Sequence, residues 1–283
     1  MMSPLSSSAK RGERCSCGKP FFIPANLLLS DGAKKSSQSR LKALQPDRIP
    51  SLRFGVRSLD DGIGGFKPHD LAVLYGSRHA VNLSHMLAVR VQLPLGEYGL
   101  NSSVLFIDAG CSFDPHSVSS FAQLQGMFPK DVLERIYVSR AFTLYQLLSL
   151  VYDWLPRAIE EYDARLVVVS SILELFTDLD VPRDELLMSF SRLSRSLSNL
   201  ALKKEAVVLV TVPSRCDSWR SNQLFSLLKS RADIIAELKE KKSCLRLILE
   251  RHIRRKTGIM DIPLSPLKRG ITLQDFLEVK RYG

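Results

Sequence analysis

The sequence predicts an α/β protein built on a doubly wound, mostly parallel sheet with an antiparallel C-terminal edge. Three observations lead there. Apolar runs of five to six residues at 71–75, 103–108, 165–170 and 206–211 end in small or polar residues, as strands covered on both faces do. Helical periodicity recurs between these runs, and strand–helix alternation is the pattern of a parallel sheet with right-handed crossovers. Beyond residue 230 the pattern changes: ADIIAEL (232–238) and SCLRLILE (243–250) flank the charged turn KEKK, which reads as a hairpin.

The elements follow in order. Residues 1–50 read as a flexible basic tail and linker, Ser/Lys/Arg-rich at the start and stopped by Pro46 and Pro50 near the end. One apolar island, PFFIPANLLL, interrupts it. Residues 51–283 read as a single core domain, a length that buries ample apolar surface. In that core LAVLY (Leu71–Tyr75) is the first strand and a helix follows at about 82–93. The strand SVLFID (103–108) precedes a helix at 115–125, and the run at 136–138 precedes one at 143–161. After the strand at 165–170, the segment 183–204 places Leu186, Phe190, Leu193, Leu197 and Leu200 on one helical face. No internal repeat is visible.

The formal net charge of +11 is unevenly spread: residues 1–50 carry +6, residues 229–283 carry +7 and the middle carries −2. Cationic ends around a near-neutral centre suit a polyanionic partner, or simply solubility. The five cysteines form neither a disulfide framework nor a zinc half-site, since Cys15-Ser-Cys17 is too tight. With no apolar leader and no run long enough for a membrane span, a cytoplasmic protein is expected.

Phe54–Val89 has the frame of a phosphate-binding strand–loop–helix unit, yet its connection reads GSRHAVN. A phosphate loop needs glycines to bring backbone N–H groups together, a Lys for the phosphate charge and a Ser/Thr hydroxyl for Mg²⁺. After Gly76 there is no glycine, no lysine and no hydroxyl at the head of the helix.

Over residues 50–275 the chain resembles the archaeal RadA branch of the RecA-type recombinases. FGVRSLDDGIGG, LAVLYG, SHMLAVRVQLP, SVLFIDAGCSFDPHSV, IYVSRAFT, RLVVVSSI and AVVLVTVP occur in that family's order. The resemblance implies a RecA-like fold. It also aligns Ala80 and Val81 with the phosphate-loop Lys and Thr, Gly110 with the catalytic glutamate and Ser170 with the Mg²⁺-holding aspartate. Val212 and Pro213 fall on the pair that senses the terminal phosphate. Loss of all these groups implies a pseudo-ATPase with no cofactor, because phosphoryl transfer rests on positioned charge. A small helical DNA-binding domain ahead of the family's core has no counterpart in residues 1–50.

The retained Asp108 reads as a cap for its loop, and His79 and His85 as surface histidines. Candidate DNA-binding residues lie in two places. Arg215, Trp219 and Arg220 follow the strand at 206–211, where the family carries a DNA-contacting loop; Leu224–Leu228 there also fits a packed helix. Arg251, Arg254, Arg255 and Lys256 end the C-terminal hairpin, either as a phosphate-tracking patch or as charge that protects a sheet edge. Phe22-Ile23-Pro24-Ala25 resembles the F-x-x-A element with which RadA-type recombinases fill a pocket on the neighbouring protomer. Phe22 and Ala25 are therefore candidate partner-binding residues, on a tail with no core of its own nearby. The expected function is an inactive recombinase paralogue that acts as scaffold or mediator in homologous recombination and repair. Its expected partners are a RadA-type recombinase and single-stranded DNA, with self-association as a competing outcome. A divergent ATPase and a RecA-fold regulatory module without a DNA role are the alternatives.

Overall fold

The computed structural model describes residues 22–28, 50–176, 181–213 and 218–263. These build a nine-stranded sheet ordered β1-β4-β3-β5-β6-β2-β7-β8-β9. In chain order, β1 is Ile23–Pro24, helix α1 is Arg57–Ile63, β2 is Leu71–Tyr75 and α2 is His79–Arg90. Then come β3 (Ser103–Asp108), α3 (Pro115–Leu124), α4 (Pro129–Glu134) and β4 (Ile136–Arg140). They are followed by α5 (Leu144–Ser149), α6 (Leu155–Glu161), β5 (Ala164–Ser170), α7 (Arg183–Lys204) and β6 (Val207–Val212). Helix α8 (Trp219–Arg231) leads into β7 (Ile234–Glu240), β8 (Cys244–His252) and β9 (Gly258–Pro263).

Strands β4, β3, β5, β6, β2 and β7 are parallel. Their side chains alternate between two cores. Ala72, Leu74, Val104, Phe106, Leu166 and Val168 face α1 to α4, whereas Leu71, Val73, Leu105, Ile107, Val167 and Val169 face α5 to α8. Burial on both faces explains why these strands read as unbroken apolar runs. β8 pairs antiparallel with β7, as the KEKK turn predicts, and β9 pairs antiparallel with β8. β8 is therefore flanked on both sides over Leu245–Leu249, while Arg251 lies beyond the pairing with β9 and Arg254, Arg255 and Lys256 lie in the turn to β9.

Three local features depart from the sequence reading. The span expected as one helix at 143–161 contains a π-helical turn at Leu150–Trp154 between α5 and α6. Pro156 lies in the first turn of α6 and cannot donate to the preceding turn, which accounts for the widened ring. Helix α2 begins three residues earlier than its apolar periodicity suggests, because it is buried on nearly every face and its start carries no polar-to-apolar boundary. Residues 22–28 are not free of the core: β1 runs antiparallel to the edge strand β4, pairing Ile23 with Val138 and Pro24 with Tyr137.

Candidate functional site at the carboxyl ends of the strands

Ligands of open α/β sheets bind beyond the carboxyl ends of the strands. Here the ends of β3, β5, β6 and β2 lie side by side. Asp108, at the end of β3, is fully buried and its carboxylate is saturated. One oxygen accepts from Ser112 N (2.8 Å) and Ser112 Oγ (3.1 Å); the other accepts from Phe113 N (3.2 Å) and faces Arg140 Nε at 3.4 Å. The capping expectation for Asp108 thus matches its geometry. Ser112 Oγ lies 2.5 Å from Ser170 Oγ, which accepts from Thr211 Oγ1 at 3.3 Å. Thr211 Oγ1 in turn accepts from Ser171 N at 3.2 Å. This chain of hydroxyls joins β3, β5 and β6 where the resemblance places a metal-holding carboxylate.

The space beside Gly110 is filled. A Cβ at that position would lie 2.5 Å from both Glu174 Oε2 and Ser171 Cβ. Glu174 arrives on a 3₁₀ turn (Glu174–Phe176) after Ser171, which leaves β5 with a left-handed φ of 56°. Burial raises the Glu174 carboxyl above its ordinary range, with an opposing contribution from the Ser171 hydroxyl and a smaller raising one from the Asp108 charge.

At the end of β2, Gly76 has φ 97° and its missing side chain lets the backbone pass Leu238 O, 2.9 Å from where a Cβ would be. Ser77 and exposed Arg78 complete the connection, and Ser77 Oγ accepts from His79 N at 3.3 Å. Ala80 and Val81 point into the protein and are buried. The surface reading of the two histidines is corrected, since both are buried. His79 faces Glu240 at 3.5 Å, and burial lowers its pKa against that carboxylate. His85 stacks on Phe106 (centroids 5.6 Å) and meets Phe113 edge-on, and burial pushes its pKa down to about 4. Uncharged at neutral pH, it serves as a core aromatic with Nε2 turned to Asp114 N at 3.5 Å. Among the described residues, no group of three or more His, Cys, Asp or Glu is placed to hold a metal ion.

This strand order, with strand ends matching one family's motif positions, is accompanied by a direct sequence match: the family model described as Rad51 covers residues 46–268. The chain belongs to the Rad51 family. It is 30% identical over 179 residues to the meiotic recombination protein DMC1 homolog B of Oryza sativa subsp. japonica, an overlap of 62% of this chain and 51% of that protein. The chain spans about half the length of that Rad51-family relative.

The DNA-binding candidates separate. Arg215 lies outside the described residues. Trp219 opens α8, is 54% exposed, and has the Arg183 guanidinium over its ring at 4.4 Å. Arg183 comes from the first turn of α7 and also donates to Gln223 Oε1 at 3.1 Å. Arg220 is half-buried beside Trp219. Leu224, Phe225 and Leu228 are buried, so this segment is a packed helix beyond its first turn.

The four cations of the hairpin, Arg251, Arg254, Arg255 and Lys256, are all exposed, and three of them are also engaged within the domain. Arg251 Nη1 donates to the carbonyls of Lys229 (2.5 Å) and Ala232 (3.1 Å), closing the end of α8. Arg254 grips the buried Asp70 carboxylate with both terminal nitrogens, Nη1–Oδ1 at 2.7 Å. Arg255 Nη1 donates to the carbonyls of Asp60 (3.2 Å) and Asp61 (3.0 Å) in α1. Lys256 is exposed. Three of the four cations therefore tie the hairpin to the domain.

Phe22 and Ala25 are likewise corrected in one respect: the segment does have a core of its own. Phe22 is 6% exposed and joins the core on the α5–α8 side, whereas Ala25 is fully buried in the opposite core. Ser112, Arg140, Thr211, Glu174 and Arg183 are site residues that the sequence reading did not single out. Ser112 alone carried a local signal, a hydroxyl four residues after a strand-end aspartate.

Proposed function

We propose that this Rad51-family chain serves homologous recombination and DNA repair as a scaffold or mediator without an ATP cycle, contacting a RadA-type recombinase and single-stranded DNA. The observation that carries this reading is the filled strand-end centre. The Asp108 carboxylate accepts four bonds or contacts from Ser112, Phe113 and Arg140, so both of its oxygens are already engaged within the protein. Glu174 and Ser171 fill the volume beside Gly110, and apolar Ala80 and Val81 head α2 with their side chains inward. These residues do not fit a magnesium nucleotide, which needs a phosphate-facing cation, a hydroxyl and free carboxylate oxygens. The relative's printed role in meiotic recombination supports the pathway.

For DNA, the Trp219–Arg183 pair supports a single-strand platform: one aromatic face for a base, with cations beside it for the backbone. Calorimetric titration with Mg·ATP tests the central claim. No heat of binding is expected, and micromolar affinity lost on changing Asp108 or Arg78 would overturn it. One observation favours a divergent ATPase instead, the Glu174 carboxylate lying 2.5 Å from where a Cβ on residue 110 would stand, beside the position the resemblance gives to the catalytic glutamate. That reading requires nucleotide-dependent turnover abolished by Glu174→Gln, measured as phosphate release.

A further inference from the structure

The segment Phe22–Leu28 clips over the edge of the sheet. Ile23 and Pro24 form the outermost strand against Val138 and Tyr137, and a single turn of 3₁₀ helix (Ala25–Leu28) packs on α3 and α4. Phe22 enters the core on one face of the sheet and Ala25 the core on the other. The edge of β4 is therefore a groove with two receptacles, one sized for an aromatic ring and one for a methyl group, separated by a backbone that accepts strand addition. This chain fills that groove with its own residues.

The closure is built to be reversible. Among the described residues two pair with β4, and Pro24 has no N–H to contribute. Asn26 makes one exposed contact, Nδ2 to Glu134 Oε1 at 3.4 Å, while its Oδ1 is buried without a partner. Twenty-one residues separate Leu28 from Pro50, where the described chain resumes. At up to ~3.3–3.6 Å per residue they have ample reach for the clip to leave the edge while staying tethered.

We infer that Phe22–Leu28 is an intramolecular plug. It holds the β4 edge shut and hides its own ring, so that strand pairing with any other chain through either surface requires its release. A tether of this kind presents the plug at an effective concentration on the order of millimolar. A competing segment of the same chemistry, extended, with Phe and Ala three residues apart, faces that concentration before it can bind. The inference rests on the mediator reading only for the identity of such a competitor.

The test uses a fluorescent peptide with the sequence of residues 19–30, titrated into the full-length chain by anisotropy. Wild type should bind it at least about tenfold more weakly than a Phe22→Asp, Ala25→Asp variant, whose own segment no longer competes. Equal affinities would overturn the plug. Because that variant could lose stability, a second protein carries Ile23→Cys and Val138→Cys, placing a reducible bridge across paired residues. Its oxidised form should bind the peptide at least tenfold more weakly than its reduced form, and indistinguishable binding would again overturn the proposal. Neither readout involves nucleotide or DNA, so the plug and the proposed function fail independently.

Discussion

At the scale of single residues, charge state follows burial. His85 titrates near 6.5 when unfolded and near 4 when folded, so between those values only the unfolded chain takes up the proton. Its contribution to stability is complete above pH 6.5 and falls as the pH drops, by about 3 kcal/mol at pH 4. His79 acts in the same direction. Urea unfolding from pH 7 to 4 should show this decline, and His85→Gln should flatten part of it; parallel profiles for the two proteins would mean the histidine is solvated. Glu174 has the opposite sign, because its folded pKa is raised and its carboxylate is disfavoured as pH climbs. Gly110→Ala forces a methyl against Ser171 Cβ and Glu174. A loss of ~1–3 kcal/mol is expected from overpacking, and an unchanged urea midpoint would show that the space is open.

At the scale of elements, the β8–β9 hairpin is fastened by cations that resemble a nucleic-acid patch in sequence. Arg254 and Asp70 are 184 residues apart and form a carboxylate–guanidinium pair with the acid buried. Arg254→Gln leaves that acid without its counter-charge and should cost about 3 kcal/mol. Lys256→Gln should leave the melting temperature unchanged. Thermal unfolding of the two variants separates fastening from surface charge, and equal melting temperatures would return Arg254 to the candidate DNA patch. The clip at the other edge makes a parallel case. Phe22→Ala removes a buried ring and should lower stability by ~1–3 kcal/mol, with faster hydrogen exchange at Tyr137 and Val138. The loss is limited because the clip can open locally without unfolding the domain.

At the scale of the whole molecule, the sheet ends on one side in the clip β1 and on the other in β9. Trp219 and Arg183 lie at the starts of α8 and α7, on the side of the strand ends. Trp219→Ala should weaken single-strand binding by ~1–3 kcal/mol if a base stacks there. Arg183→Gln should flatten the dependence of affinity on salt by roughly 0.7 for each phosphate it ceases to neutralise. Anisotropy titrations over a salt series measure both, and two unchanged lines would leave the pair a surface stack with no DNA role.

What the sequence by itself determined is the sheet and its helices. The runs at 71–75 and 103–108 are strands with those same bounds, and 183–204 is one helix with its apolar face inward, because hydrophobic periodicity is written within a few consecutive residues. The identities of Ala80, Val81, Gly110 and Ser170 at the strand ends were equally legible. What fills their places was not: Glu174 reaches the space beside Gly110 only because β5 lies against β3. The short strand β9 escaped notice because GIMDIP alternates weakly and gains its order from pairing with β8. Arg254 looked like a free cation until tertiary folding brought Asp70 to it, and Phe22 looked unsupported until the edge of β4 received it. Local pattern fixes which segments are regular; the state of a charge or an exposed ring depends on partners more than a hundred residues away, and only the assembled sheet selects them.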